Sequence, residues 1–179
     1  MKYQNEGGPD LAQCFDLVRH ATRPSAPQIL RLFDCVIFNA LIGNHDAHAK
    51  NFSLLYSGKA AVLAPHYDML STAVYPTLTP KMAMKIGSKY KFSEVEKRHW
   101  EQFAEDVGLT AAQARRRILE LARSLPATAR QLQSGAGQGF AGNPVVEQIT
   151  SLIEQRCALT LRRLTDPGAN NEAAAQPSA

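Results

Sequence analysis

Cysteine is scarce. Cys14, Cys35 and Cys157 are three in 179 residues, odd in number and widely spaced, so no disulfide framework is expected, and their apolar helical surroundings suit buried thiols. No apolar run approaches the roughly 20 residues of a membrane-spanning helix. The opening Met1-Lys2-Tyr3-Gln4-Asn5-Glu6 has no apolar segment of the kind a secretory signal needs, and a cytoplasmic location with no membrane partner is the expectation. Internal repeats, an H-E-x-x-H pair and cysteine-pair metal spacings are all missing. Gly135-Ala136-Gly137-Gln138-Gly139 lacks the G-x-G-x-x-G spacing of a nucleotide loop and follows a helix instead of a strand, so it reads as a linker. Charge of one sign is also lacking: 20 basic against 16 acidic residues leave +4, a mild positive field that selects no particular anionic partner.

What is present is a globular composition, 45% hydrophobic and 20% charged, at a length that suits one domain. Residues 1–9 are polar and glycine-rich and read as a loop. Asp10 caps a helix that puts Leu11, Phe15 and Val18 on one face. Ser25-Ala26-Pro27-Gln28 has the S-x-x-Q form of a capping box and opens a long helix, apolar nearly all round from Ile29 to Leu41 and therefore central, with Gly43 as its stop. Residues 52–56 and 60–64 flank Ser57-Gly58-Lys59 as a β-hairpin. Residues 69–92 read as an irregular surface loop with one short strand near residues 83–86. A helix is expected from Ser93 to a stop at Gly108, and another from Thr110 that Pro126 should kink or interrupt. Residues 134–143 read as a flexible linker, and Asn143-Pro144 opens a last helix to about Leu164. The domain is thus placed at 1–164 and a disordered tail at 165–179. The class is mainly α with a small β-hairpin.

The chemistry concentrates in Leu41-Ile42-Gly43-Asn44-His45-Asp46-Ala47-His48-Ala49-Lys50-Asn51-Phe52-Ser53, between the apolar helix and the first strand. Asp46 and Asn51 are five positions apart, the spacing of the catalytic aspartate and metal-binding asparagine in H-R-D-x-x-x-x-N. After the hairpin, Ala64-Pro65-His66-Tyr67-Asp68 supplies a second acidic loop, and the hairpin acts as a stiff spacer that lays the two loops side by side. The phosphoryl-transfer reading makes Asp46 the base toward the acceptor hydroxyl, has Asn51 and Asp68 hold Mg²⁺ on an ATP phosphate chain, and places His48 and Lys50 near the γ-phosphate. Against it stands a plain role for Asp46 and Asn51 as turn-formers at the hairpin entry. A third reading takes His45, His48 and His66 with Asp46 and Asp68 as ligands of a transition-metal hydrolase. Arg115, Arg116, Arg117, Arg123 and Arg130 read as a solvated helix face, and direct nucleic-acid binding is not expected.

The run L-I-G-N-x-D-x-H-x-K-N-F-S followed by L-A-P-x-Y-D-M-L-S-T resembles the HipA family of bacterial serine/threonine kinases, the toxins of toxin–antitoxin pairs. Similar texture extends from Lys2-Tyr3-Gln4-Asn5-Glu6-Gly7-Gly8-Pro9 to the helix near Pro144. The resemblance implies a kinase C-terminal lobe, ATP and Mg²⁺ as cofactors, a protein substrate of the aminoacyl-tRNA synthetase class and an antitoxin partner. Departures from the pattern are the missing glycine-rich strand pair and the missing upstream ATP-binding lysine of an N-terminal lobe. They leave two further expectations: a split kinase whose N-lobe is another chain, with little activity alone, or an incomplete kinase kept as a protein-binding module.

Overall fold

A computed structural model describes residues 1–58, 60–135 and 140–166. Its central element is α2 (Ser25–Ile42), where Leu32, Phe33, Ile37 and Leu41 are wholly buried. By length and hydropathy this helix could cross a membrane, yet 56% of it is buried inside the fold, and an apolar surface all round is also what a core helix needs. Against it pack α1 (Leu11–Ala21), α4 (Ala111–Ser134) and α5 (Pro144–Thr165), while α3 (Lys97–Asp106) packs on α4. Phe103 of α3 reaches through to α2: its ring stacks on Phe33 at 5.3 Å and meets Phe15 edge-on at 5.8 Å. Burying three aromatic rings in one cluster removes a large apolar area from water and fixes α1, α2 and α3 relative to one another.

Two antiparallel hairpins complete the fold. Strands β1 (Leu54–Ser57) and β2 (Ala60–Leu63) form the expected hairpin, with Leu54 opposite Leu63 and Ser57 inside the first strand instead of the turn. The second, β3 (Lys81–Ile86) with β4 (Lys89–Lys91), lies inside the stretch read as irregular. Its signal was weak because Met82, Ala83 and Met84 are buried in succession, which destroys the two-residue alternation by which a strand is recognised.

Caps account for the other differences. Asp10 caps α1 reciprocally with Gln13 as expected, and Asn143 accepts from the N–H groups of Val145 and Val146 to open α5. Ser25, in contrast, is already inside α2 and makes no cap; Gln28 instead turns its Oε1 to the N–H of Leu63 at 3.0 Å, tying helix to strand. Residues Phe92–Glu94 form a 3₁₀ turn, and α3 starts four residues after Ser93, at Lys97, with Glu96 and His99 as its reciprocal cap. Pro126 does not interrupt α4. A proline inside a helix costs about 3 kcal/mol, and the buried Ile118, Leu119 and Ala122 on α4 with Ile153 and Cys157 on α5 offset it. Residues 1–9 contain a 3₁₀ turn at Gln4–Glu6. All three cysteines are buried and unpaired, and α5 runs through Thr165; the core of the linker, residues 136–139, and the tail from residue 167 lie outside the described residues.

Candidate functional site

Gly43 ends α2 with φ +78, and a Cβ there would stand 2.8 Å from both Ala73 Cβ and Leu152 Cδ2. Only glycine takes this turn at this distance from its neighbours. The turn releases Asn44, which is 4% exposed. Its Nδ2 donates to Asn39 Oδ1 and to the Asp68 carbonyl, each at 2.9 Å, and its Oδ1 accepts the Asp46 N–H at 3.1 Å. A single buried carboxamide therefore joins α2 to both acidic loops.

Asn51 and Asp68 meet: Asn51 Nδ2 donates to Asp68 Oδ2 at 2.6 Å, while Asn51 Oδ1 accepts the His48 N–H at 3.0 Å. Asp68 has φ +56, the one non-glycine residue with positive φ among the described residues. Aspartate tolerates this region better than most side chains, and such conformations concentrate at functional sites. The pair offers a carboxylate and a carboxamide oxygen, hard donors of the kind Mg²⁺ takes alongside water and phosphate oxygens.

Asp46 does not touch that pair. Lys2 Nζ lies 3.0 Å from its Oδ2 and the Tyr3 hydroxyl donates to its Oδ1 at 2.8 Å. The segment that brings them is folded back on itself: the Gly8 N–H donates to the Tyr3 carbonyl at 2.9 Å, and a Cβ on Gly8 would come within 2.8 Å of that oxygen. Gln4 Oε1 pins the segment to β3 by accepting the Lys85 N–H at 2.8 Å. Neither Lys2 nor Tyr3 was singled out by spacing; the turn-forming Gly7-Gly8-Pro9 behind them was the available signal.

His48 is buried, its ring edge-on to Tyr3 at 6.0 Å and its Nδ1 without a partner. Burial first, then Lys2, hold the imidazole below its ordinary pKa, while Asp46 and Asp68 pull the other way, which places it in the field of both acidic loops. Lys50 is exposed, and its carbonyl accepts the Tyr67 hydroxyl at 2.6 Å. Two cavities flank these residues. One of about 470 Å³ has Lys2 and Lys50 with apolar Leu17, Phe52 and Leu54; the other, of about 390 Å³, has Asp46 with Tyr3, Met82 and Tyr90. Lys2 and Tyr3 stand between them.

His45 serves elsewhere. Its Nδ1 lies 3.1 Å from the Thr79 carbonyl, so Nδ1 carries the proton and Nε2 accepts from Arg156 Nη2 at 2.9 Å. Arg156 also donates to the Ala40 carbonyl at 2.8 Å and lies 4.4 Å over the Phe92 ring. Burial pulls the guanidinium down to about 10 and, with Arg156 beside it, lowers His45. His66 lies near Arg31 instead. Among the described residues no three His, Cys, Asp or Glu side chains converge to hold a metal ion, so the hydrolase reading loses its site. The arginine face is also largely committed: Arg117 pairs with Asp34, Arg130 with Glu147 and Glu154, and Arg115 donates to the Leu164 carbonyl.

Comparison with known proteins adds the following. Residues 1–129 match the family described as HipA-like C-terminal domain. Y4mE of Sinorhizobium fredii, whose name proposes a kinase, is 45% identical over 133 residues, 74% of this chain and 32% of that protein. The serine/threonine-protein kinase toxin HipA of Shewanella oneidensis is 25% identical over 119 residues, 66% of this chain and 27% of that protein. A solved complex of Shewanella oneidensis HipA, HipB and operator DNA contains a chain of the same fold, with TM-score 0.74 and 23% identity over 88% of this chain and 37% of that one. The chain thus spans about a third or less of the curated relatives named here.

Proposed function

Because this chain belongs to the HipA-like C-terminal domain family, and relatives of it carry kinase names, we propose that it is the C-terminal lobe of an ATP- and Mg²⁺-dependent protein serine/threonine kinase. The observation that carries this reading is the Asn51–Asp68 contact at 2.6 Å, held by Asn44 to the loop that presents Asp46. Asn51 and Asp68 would hold the metal, whose chemistry when bound is to neutralise charge on the phosphates. The larger cavity, with its apolar wall and two lysines, suits a nucleotide, to which Lys50 supplies a cationic group; His48 is buried outside that cavity's lining and backs the metal pair by donating its N–H to Asn51. Asp46, on the wall of the second cavity, is the base for a serine or threonine hydroxyl entering there.

The substrate class is a protein, an aminoacyl-tRNA synthetase in the terms of the family resemblance. A protein antitoxin is the proposed partner, by analogy with the complex of the Shewanella oneidensis protein with HipB, together with an N-terminal lobe that supplies the rest of the nucleotide cradle. The cytoplasm is the proposed location. Calorimetry of Mg²⁺·ATP binding tests the assignment: Asp68→Asn removes one charge from the metal pair and should weaken Mg²⁺·ATP by roughly tenfold or more while leaving metal-free adenosine unaffected. Equal affinities in the two proteins, or tight Zn²⁺ binding without nucleotide, would overturn it.

A further inference from the structure

Lys2 belongs to two places at once. Its ammonium is 3.0 Å from Asp46 Oδ2 and 5.0 Å from the centre of the Tyr3 ring, yet Lys2 also lines the larger cavity, as Lys50 does. The ion pair is open to water, with 39% of the Lys2 and 37% of the Asp46 side chain exposed. Pairs this open are weak and screened by salt. The contact with Asp46 raises the lysine's pKa, so the ammonium is charged throughout the neutral range. A flexible four-carbon stem with three rotatable donors can turn from one anion to another without moving its Cα.

Resting on the nucleotide reading given above, we propose that Lys2 is a phosphate-binding residue of the larger cavity and releases Asp46 when that cavity fills. A polyphosphate brings several negative charges where Asp46 brings one, and the ammonium follows the larger charge. Tyr3 keeps its hydroxyl on Oδ1 at 2.8 Å, so the carboxylate stays in place while Oδ2 becomes free to accept a hydrogen bond from an acceptor hydroxyl in the second cavity. The base is thereby masked until nucleotide is present. The arrangement couples the two cavities through one side chain.

Calorimetry on the full chain separates the possibilities. Lys2→Met keeps the apolar stem, and with 39% of the side chain exposed it leaves the core untouched; the melting temperature verifies this. Mg²⁺·ATP should bind roughly tenfold or more weakly to Lys2→Met, adenosine within about twofold of the parent, and Lys2→Arg should restore most of the loss. A double-mutant cycle fixes the switching. If Lys2 exchanges partners, Asp46→Asn tightens Mg²⁺·ATP more in the parent than in Lys2→Met, because only the parent has a lysine to release. An equal or larger gain in Lys2→Met means that Lys2 merely screens Asp46, and the exchange is refuted. An unchanged ratio of ATP to adenosine affinity in Lys2→Met refutes phosphate binding by Lys2 alone. If the parent chain binds neither compound, the nucleotide reading falls, and this proposal with it.

Discussion

Replacing Asn44 by alanine is the sharpest probe of how the site is built. The side chain makes three hydrogen bonds, two donated by Nδ2 and one accepted by Oδ1, and it is 4% exposed. At about 1 kcal/mol net for each bond, the loss comes to about 3 kcal/mol, before any further cost of stranding Asn39 Oδ1 in the interior. That is a large fraction of the 5–15 kcal/mol typical of a domain, but less than the whole, so the variant should fold with a melting temperature about 6–12 °C lower. Urea unfolding followed by circular dichroism measures the first quantity. Amide hydrogen exchange locates the loss, because the Asp46 N–H loses its acceptor and should exchange faster than amides of the Phe15–Phe33–Phe103 cluster. Asn44→Asp is the companion: it can still accept from the Asp46 N–H, but its carboxylate faces two carbonyl oxygens and should cost at least as much as alanine. A loss under about 1 kcal/mol with unchanged exchange at Asp46 would refute the idea that this carboxamide ties the loops together.

Asp46→Asn should cut phosphoryl transfer by at least ~10²-fold while changing nucleotide affinity only a few-fold, since a group acting on the acceptor matters in the transition state. A radiolabel-transfer assay with an N-terminal lobe supplied decides, and full activity in the variant would make Asp46 a turn residue. Acid should destabilise the fold from neutral pH downward: His45, His48, His66 and His99 all sit below the ordinary value of 6.5, chiefly through burial. The unfolded chain therefore takes up protons near pH 6.5 that the folded chain refuses, and stability present above that pH is lost as pH falls toward the folded values; equal urea midpoints at pH 7.5 and 5.5 would contradict this.

Much of this could be read from the residues because two strong local signals agreed. The apolar run of α2 read as a central helix, and the Leu41-Ile42-Gly43 stop placed the polar loop directly at its end. The contact of Asn51 with Asp68 follows from a hairpin expected at residues 52–56 and 60–64 and found, one pair shorter, at Leu54–Ser57 and Ala60–Leu63, since equal arms return the chain to the level at which it left. Asn44 carried a signal that was passed over: an Asx residue two positions before Asp46 is a common way to fix a turn. The hydrogen bonds of Asp46 to Lys2 and Tyr3 span 44 and 43 positions, and no periodicity reports a contact at that range. The second hairpin failed for another reason. Its strand is buried on both sides at Met82–Met84, so the pattern that distinguishes strand from loop was absent.

Arg156 has a bearing on where this unit can be cut. The match to the family model ends at residue 129, inside α4, whereas the guanidinium that grips the end of α2 and the ring of His45 comes from α5. A piece trimmed to the recognisable sequence would keep Asp46, Asn51 and Asp68 and lose the rivet behind them, leaving His45 with an unfilled acceptor and the α2 terminus without its cation. The boundary that the family model draws and the boundary that the contacts draw are different lines, and Arg156 lies between them.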